Sequence, residues 1–523
     1  MNFPVWELEL GGGLLIALVA VTHVFVSHFA VGGGLFLVVT EARARSRRDL
    51  ELLGWLTHHS QFFALLTLVG GAVTGVGIWF TIGLVHPAAT SALIHIFVWA
   101  WAIEWVFFFV EITAAIIYAK TWSLLDPRTH MMVGWVYFGA AFMSLVVING
   151  ILAFMLTPGA WLETQRFWDG FLNPTYLPQL VVRALGCVAF AGIYVFITAW
   201  REAPALRTRL ARWAAWWALP ATAVGPAAAY WYFQVAGQPA WDAVRAGVPN
   251  AQRGLIGVCA SAILYVVLLA VVVARARRWP RVVSLPIGIA LLVTGYGSIA
   301  GAEFIRENLR KPYIIGGPAG GGYMFVNGIR PQDLEATRAS GLLAQARWLA
   351  PLPAGAGREA AEGAQLFRVA CRGCHTLGGY KAVAPLVRDK PVAAIEATLR
   401  TLEVRRGRMP PFPGSDAEIR PLARFLAGLD GVVEPEPAAE AAERGRALLE
   451  EHCLSCHSLR SAADDPPALL PRRLQGWTAE RAYAELGRLK RLNEQMLDFA
   501  GSDEERRALA DTLAGLAAEE VAP

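Results

Sequence analysis

Charged residues are scarce in this chain: Lys, Arg, Asp and Glu together make up only 17% of its 523 residues. Hydrophobic residues make up 55%, and the mean hydropathy of +0.41 excludes an ordinary soluble protein. The net charge of +5 is modest and no nucleic-acid-binding motif is visible, so we expect no nucleic acid partner. The composition predicts a membrane protein, and 19 Trp residues fit aromatic belts at the membrane interfaces.

Cysteine is also rare, with six residues in the whole chain. Four of them lie in two short strings, Cys371-Arg-Gly-Cys374-His375 and Cys453-Leu-Ser-Cys456-His457. The C-x-x-C-H pattern attaches c-type haem, because the two thiols add to the vinyl groups and the histidine supplies an imidazole to the iron. A single copy could arise by chance or form a metal or redox dithiol, but two copies in matched repeats disfavour both alternatives. The remaining Cys187 and Cys259 lie in apolar runs, where we expect small buried hydrophobes.

Long apolar runs fill the first 310 residues. Eight of them can each cross a hydrocarbon layer of about 30 Å, near residues 12–40, 57–83, 93–119, 131–157, 178–200, 213–235, 254–274 and 282–304. No cleavable signal peptide is evident, because the first run is full length and other spans follow it. We therefore predict an all-α protein: a polytopic membrane helical bundle of about eight spans, followed by two small all-α domains.

Basic residues concentrate in alternate loops and predict the orientation. They follow the first, third, fifth and seventh runs: Arg43, Arg45, Arg47, Arg48, Lys120, Arg128, Arg201, Arg207, Arg209, Arg212, Arg275, Arg277, Arg278 and Arg281. The positive-inside rule assigns these loops to the cytoplasm, which leaves both the N-terminus and the C-terminal domains on the periplasmic side. Covalent c-haem attachment in bacteria takes place outside the cytoplasmic membrane, so topology and motif agree on a multi-pass bacterial inner membrane protein.

The C-terminal part contains an internal repeat. Gly414-Ser-Asp-Ala-Glu parallels Gly501-Ser-Asp-Glu-Glu, and each repeat closes with a segment ending Leu-Ala-Gly-Leu. We predict four regions, with Pro435-Glu-Pro437 separating the last two: a membrane domain at 1–313, a periplasmic linker at 314–357, and two haem modules at 358–432 and 438–523.

Methionine is sparse enough to suggest the second axial ligands. Only Met409 follows the first motif within its module, and only Met496 occurs in the second module. The order C-x-x-C-H, Met and a final helix resembles class I cytochrome c over about residues 358–520. The resulting expectation is two covalent haem c groups, with His375 paired to Met409 and His457 paired to Met496. Such a His/Met pair raises the potential of the iron.

Ionisable groups inside the spans are costly and indicate function. His23 and His28 are five residues apart in the first run, so they do not share a helix face. Glu104 and Glu111 are seven apart and do share one, which suggests haem ligation or a proton path. The alternative is a satisfied interhelical hydrogen-bonding pair. We expect His130 to be a loop or interface residue.

The last span ends in a charged cluster that contains Glu303, Arg306 and Arg310. Its cations are suited to hold haem propionates. The alternative is that these basic residues only terminate the span.

The membrane half resembles subunit I of the cytochrome bd-type terminal oxidases over about residues 5–313. The matching strings are Thr22-His23-Val-Phe, Gly32-Gly-Gly with Glu41, Ala102-Ile-Glu104, Phe109-Val-Glu111, Asn149-Gly150, Leu172-Asn173-Pro174, and Ala302-Glu303 with Arg310-Lys-Pro. The resemblance implies His23 as an axial ligand of the oxygen-binding haem, with Glu104 beside or on that iron. It also implies Glu111 in the proton route, Glu303 as the ligand of a second high-spin haem, and a second membrane subunit of similar type.

The departures from this family concern its quinol side. There, a His in the fifth span and a later Met ligate a low-spin b haem, but residues 179–184 contain no His and no Met occurs between Met155 and Met324. The long outer quinol loop is also missing, because only residues 236–253 join the sixth and seventh runs, and the cytochrome c modules replace a ninth span. We therefore expect that low-spin haem to be absent.

These observations predict a membrane oxidoreductase. A periplasmic donor, a cytochrome c or a similar protein, would pass electrons through two c haems to two non-covalent haems of b or d type. These would reduce a small oxidant, with dioxygen as the first candidate and nitric oxide, nitrite or peroxide as others. The alternatives are a quinol–cytochrome c oxidoreductase and a non-catalytic electron-transfer subunit of a larger complex.

Overall fold

The computed structural model describes residues 6, 8–245, 249–275, 281–317, 321–354, 357–403, 408–429, 441–457, 459, 470–494 and 496–518. The loop arginines Arg277 and Arg278 and the separator Pro435–Pro437 lie outside the described residues. The chain forms two compact units, one of residues 15–325 and one of residues 1–14 with 326–523. Both units are helical, which confirms the predicted all-α class.

The membrane unit begins with a long helix and continues as a bundle. Its helices are α1 (Gly12–Ser46), α2 (Leu50–Leu65), α3 (Gly71–Val85), α4 (Pro87–Ile96), α5 (Val98–Lys120), α6 (Pro127–Phe154), α7 (Trp161–Thr164), α8 (Phe167–Phe171), α9 (Tyr176–Phe190), α10 (Val195–Thr198), α11 (Pro204–Ala236), α12 (Gln238–Arg245), α13 (Pro249–Arg275) and α14 (Arg281–Arg310). A π-helical turn, Leu66–Gly70, joins α2 to α3. Strands β1 (Tyr313–Gly317) and β2 (Gly321–Phe325) then pair in an antiparallel hairpin.

Seven stretches among the described residues are long and apolar enough to cross a membrane, and they match seven of the eight predicted runs. The sixth predicted run, 213–235, lies within α11 but is not among these seven. This helix is 33 residues long, and it carries Arg207, Arg209 and Arg212 near its start and two prolines inside. The third run begins later than predicted, because the chain leaves helical geometry at Phe97 between α4 and α5.

Glycines on α1 allow the close packing of the bundle. A Cβ atom at Gly32 would lie 1.8 Å from the Cys187 carbonyl oxygen of α9. A Cβ atom at Gly34 would lie 2.2 Å from the Tyr137 ring of α6. Since real side chains cannot approach this closely, only glycine lets α1 contact both helices. Phe29 and Phe36 of α1 are fully buried in the resulting core.

The second unit contains the two haem modules. After the 3₁₀ turn Pro331–Asp333, the helices are α15 (Leu334–Ser340), α16 (Leu342–Gln345), α17 (Arg358–Ala370), α18 (Ala384–Val387), α19 (Val392–Arg400), α20 (Asp416–Gly428), α21 (Ala441–His452), α22 (Leu470–Arg473), α23 (Ala479–Leu486) and α24 (Asp503–Ala518), with a 3₁₀ turn at Leu489–Arg491. In each module the helix before the C-x-x-C-H motif packs against the closing helix, α17 on α20 and α21 on α24.

The first module contacts the haem-attachment turn of the second. The Lys390 Nζ donates to the Leu454 carbonyl oxygen at 2.6 Å. Ala394 on α19 is fully buried and belongs to the same hydrophobic cluster as Leu449 and Leu454. The second module therefore completes its core with a residue of the first.

Candidate haem and proton-transfer sites

The two C-x-x-C-H strings adopt the same backbone turn. In the first, the Cys374 and His375 amides donate to the Cys371 carbonyl oxygen at 3.0 and 2.9 Å. In the second, the Cys456 and His457 amides donate to the Cys453 carbonyl oxygen at 3.1 and 3.0 Å. None of these thiols forms a disulfide. One tight turn thus holds two thiols and an imidazole together, which is the donor set that haem c requires.

The His375 ring has the tautomer that an iron ligand needs. Its Nδ1 lies 3.0 Å from the Lys381 carbonyl oxygen, which can only accept a hydrogen bond. Nδ1 therefore carries the proton, and Nε2 is the nitrogen that bears the lone pair, as in a metal-binding tautomer. Burial raises the pKa of the Cys371 thiol to about 12, and the neighbouring Cys374 adds to this shift. The Cys371 sulfur is therefore a thiol at neutral pH.

Met409 and Met496 occupy equivalent positions in their modules. A phenylalanine follows each by three residues and is buried in the module core, Phe412 at 4% exposure and Phe499 at 8%. The next residues repeat as well, because the Ser415 and Ser502 amides donate to the Glu418 and Glu505 carboxylates that start the closing helices. Cys371 and Cys453 pack against these same two cores. The roles of the two methionines as axial ligands stay predictions.

His23 is held by a threonine of the neighbouring helix. Its Nδ1 lies 3.1 Å from the Thr74 Oγ1, and that hydroxyl donates to the Gly70 carbonyl oxygen at 2.6 Å. The Thr74 oxygen therefore accepts from His23 Nδ1, which leaves the His23 Nε2 lone pair available. Gly75 lies beside the ring, where a Cβ atom would stand 3.1 Å from His23 Cε1. The residues fit the predicted haem ligand.

Glu104 and Glu111 share one face of α5, as their spacing predicts, and the structure shows that this face meets α6. The Ser144 hydroxyl donates to Glu104 Oε1 at 3.0 Å. The Tyr137 hydroxyl lies 3.2 Å from Glu111 Oε1 and 3.0 Å from the Ala30 carbonyl oxygen. Each carboxylate thus forms an interhelical hydrogen bond, as the structural alternative expects. Since a hydroxyl carries one proton, Tyr137 also accommodates a protonated Glu111 when it donates to Ala30.

Glu303 lies between two arginines. Arg183 Nη2 donates to its Oε1 at 2.9 Å and Arg306 Nε donates to its Oε2 at 2.8 Å. Each carboxylate oxygen has two lone pairs, so both keep one that can face an iron. Arg310, in contrast, contacts its own end of the helix through the Glu307 carboxylate and the Ile314 carbonyl oxygen.

Buried polar atoms around Glu303 indicate whether its surroundings suit a buried haem. Among the described residues, five side chains there have buried polar atoms without a hydrogen-bond partner: Gln179 (both amide atoms), Arg183 (Nε), Tyr232 (hydroxyl), Arg306 (Nη1) and Arg310 (Nε). Unsatisfied buried donors are costly. Anionic propionates would satisfy the donors of the three arginines, so the residues fit the group that the resemblance implies.

His28 has a different environment from His23, as their five-residue separation predicts. Its Nδ1 lies 2.7 Å from the Val24 carbonyl oxygen of its own helix. Its ring lies beside Gly186 of α9, where a Cβ atom would stand 3.2 Å from His28 Cδ2.

His130 corrects a sequence-based expectation. It is fully buried in α6 rather than in a loop, and its Nδ1 lies 2.9 Å from Glu41 Oε1. The Tyr118 hydroxyl donates to Glu41 Oε2 at 2.7 Å, and Arg45 Nε donates to Oε1 at 2.6 Å. Sequence reasoning missed this cluster. The signal in the sequence was Glu41 itself, an acidic residue inside the first apolar helix, with Arg45 four residues later on the same face.

Comparisons with known proteins match two parts of the chain to family models. Residues 14–239 match the family model of cytochrome bd terminal oxidase subunit I. Residues 358–426 and 440–511 each match the model of cytochrome c oxidase, cbb3-type, subunit III. No curated protein matches the sequence.

A search of solved structures finds the bd oxidase from Geobacillus thermodenitrificans, at 13% identity and a TM-score of 0.49, over 57% of this chain and 85% of that one. The two family matches carry the assignment. The chain therefore joins a membrane domain similar to cytochrome bd terminal oxidase subunit I to two domains similar to cytochrome c, and both similarities indicate a haem-based redox protein of the membrane.

Proposed function

We propose that this protein is a cytochrome c-linked terminal oxidase of a bacterial inner membrane. A periplasmic donor, a cytochrome c or a similar protein, would give electrons to the two c haems, which pass them to a buried haem pair that reduces dioxygen to water. The cytochrome c modules would lie in the periplasm, and protons would enter from the cytoplasm. A second membrane subunit of bd type completes the expected assembly.

The ion pair of Arg183 carries this proposal. In the bd family the corresponding part of the fifth span supplies a histidine to the quinol-side haem. Here α9 has no histidine, and its Arg183 donates instead to Glu303 at 2.9 Å. The residue therefore supports the other buried haem site rather than a low-spin haem, and the c modules take over the entry of electrons.

The chain's own residues would hold and neutralise the buried groups. His23 Nε2 and a Glu303 oxygen would bind iron, and Arg183 and Arg306 would offset the charge of that carboxylate. When bound, the haem pair would supply the reducing electrons and the site at which dioxygen binds. Glu104 and Glu111, two turns apart on α5, would bring protons toward it.

Three measurements on the purified full-length protein test the proposal. Haem extraction should release non-covalent b-type or d-type haem and leave two covalent c haems. A carbon monoxide difference spectrum should show an open high-spin iron. Oxygen consumption should proceed with ascorbate and an artificial one-electron donor and not with a quinol.

Other results would select the alternatives. Covalent haem c alone would leave an electron-transfer subunit without turnover and would contradict the oxidase proposal. Turnover with quinol and none with the cytochrome-type donor would reverse the direction of electron flow and favour a quinol–cytochrome c oxidoreductase. Consumption of nitric oxide, nitrite or peroxide in place of dioxygen would change the oxidant.

A further inference from the structure

We infer that Glu41 and His130 form the proton-loading group of this protein, and that Tyr118, one buried water and Tyr137 relay protons from it to Glu111. This inference rests on the proposed function, because it names the intake of the proton route that ends at Glu111. All its members lie in the membrane unit, on α1, α5 and α6.

The group formed by Glu41, His130 and Arg45 lies near one surface of the membrane domain. Glu41 and Arg45 lie near the end of α1 that the positive-inside rule assigns to the cytoplasm. Glu41 and His130 have no exposed side-chain surface, whereas 21% of the Arg45 side chain is exposed. The network therefore reaches the protein surface at Arg45, and its titratable pair lies directly beneath.

The hydrogen-bond geometry allows Glu41 and His130 to share a proton. His130 Nε2 lies 3.0 Å from the Tyr118 carbonyl oxygen, which can only accept, so Nε2 always carries a hydrogen. Nδ1 faces the Glu41 carboxylate at 2.9 Å. The pair thus has two forms of equal proton count, a protonated carboxyl beside a neutral ring or a carboxylate beside a charged ring. An added proton therefore resides on either member.

The path inward follows one face of α5. Glu104, Glu111 and Tyr118 are spaced by seven residues, so each step covers two helical turns, about 10 Å. The Tyr118 hydroxyl donates to the Glu41 carboxylate, and the Tyr137 hydroxyl donates to the Glu111 carboxylate. The same stripe therefore joins the Glu41–His130 pair to both acidic residues of the span.

Tyr118 and Tyr137 both line one small cavity, whose other lining residues are apolar or glycine. Its volume of about 10 Å³ is close to the space that one water molecule requires. Gly34 and Gly134 also line it and make room for the tyrosine rings: Cβ atoms there would lie 2.2 Å from Tyr137 and 2.8 Å from Tyr118. A water in this cavity is the link that we infer between the two tyrosines.

The relay moves one proton from Glu41 to Glu111 and requires no oxidation or reduction. Glu41 gives its proton to the Tyr118 oxygen while Tyr118 gives its own to the water, and the water and Tyr137 repeat the exchange until Glu111 holds one proton. Each hydroxyl ends with the single proton it began with. The Tyr137 hydroxyl can donate to Ala30 or to Glu111, so it can turn between accepting and donating.

The test is hydrogen–deuterium exchange of the Glu111 carboxyl, followed by infrared spectroscopy in the resting full-length protein at pH 6. Its C=O band is identified by its loss in Glu111→Gln. We expect Tyr118→Phe and Tyr137→Phe to slow the deuterium shift of this band by roughly 100-fold, the size expected for loss of one proton-transfer group. Tyr265→Phe is the matched control, because this hydroxyl donates to the Ala189 carbonyl oxygen at 2.8 Å and its residue is equally buried.

The outcomes separate this inference from the proposed function. Equal exchange rates in all the proteins, or no Glu111 band, would overturn the relay whether or not the protein consumes oxygen. Slow exchange only in the two relay variants would support it, even if oxygen consumption failed and the oxidase proposal fell. In an active protein, the same variants should reduce their c haems anaerobically within twofold of the unchanged rate, because electron entry does not use these hydroxyls.

Discussion

Arg183 Nη2 lies 2.9 Å from Glu303 Oε1, although 120 residues separate the two in the chain. The pair joins α9 to α14, and Arg306 binds the other oxygen of the same carboxylate. Two arginines of the protein itself thus hold the Glu303 carboxylate from two sides. This arrangement ties the arginine of the fifth span to Glu303, which the proposed function assigns to a buried haem.

Replacing Arg183 by Leu should weaken both the fold and the haem site. Loss of a hydrogen bond to a buried charged group costs about 2 kcal/mol. We expect a lower melting temperature and less non-covalent haem per protein, with two covalent c haems retained. Arg183→Lys should restore part of the haem content, because it keeps the charge.

The matched control for that change is Arg209→Leu. Arg209 also forms an ion pair, with Asp49 at 2.7 Å, but half of its side chain is exposed. Exposed ion pairs contribute little to stability. An equal loss of haem in both variants would mean that Arg183 has no special relation to the site.

The two c-haem turns should load independently. Cys371→Ser with Cys374→Ser should leave one covalent haem, and so should Cys453→Ser with Cys456→Ser. Haem staining of denatured protein and the pyridine haemochrome spectrum give the count. Cys187→Ser with Cys259→Ser should keep both haems, since these thiols lie in membrane helices.

Met409→Ala and Met496→Ala should each lower the midpoint potential of one c haem. Loss of a thioether ligand removes the contribution that raises the potential of a His/Met haem. Potentiometric titration of the c-type absorbance should resolve one unchanged and one lowered component in each variant. Met324→Ala is the control, because Met324 lies on β2 of the membrane unit. Two unchanged components in either variant would assign the sixth ligand elsewhere.

Glu418→Gln should destabilise the first module by about 2 kcal/mol, because charged acceptors form the stronger hydrogen bonds. This buried carboxylate accepts from the amides of Leu342, Leu343 and Ser415 at 2.7–2.9 Å. It therefore fixes α16 to the start of α20. Limited proteolysis should then cut near residue 345 sooner than in the unchanged protein. The counterpart Glu505→Gln should have a smaller effect, since that carboxylate accepts from its own Ser502 cap and its other partner, Arg444 at 3.5 Å, is exposed.

Local sequence patterns predicted where the helices lie better than they predicted which side chains would contact each other. Apolar length located seven membrane helices, and the seven-residue spacing of Glu104 and Glu111 predicted that they share one helix face, but only the structure shows that this face meets α6. Their hydrogen-bond partners could not be predicted, because nothing local links Ser144 to Glu104. The burial of His130 depends in the same way on Glu41, which lies 89 residues earlier. The break at Phe97 escaped prediction because the apolar run continues through it.

The contact of Lys390 with the backbone of Leu454 has a kinetic consequence. A haem domain on a free tether must diffuse until it meets its partner, so the search limits how fast electrons are exchanged. Here the attachment turn of the second module already lies against the first, with Ala394 shared between their interiors. Electron hops between the two c haems would then occur at one constant separation, and their rate would be insensitive to solvent viscosity.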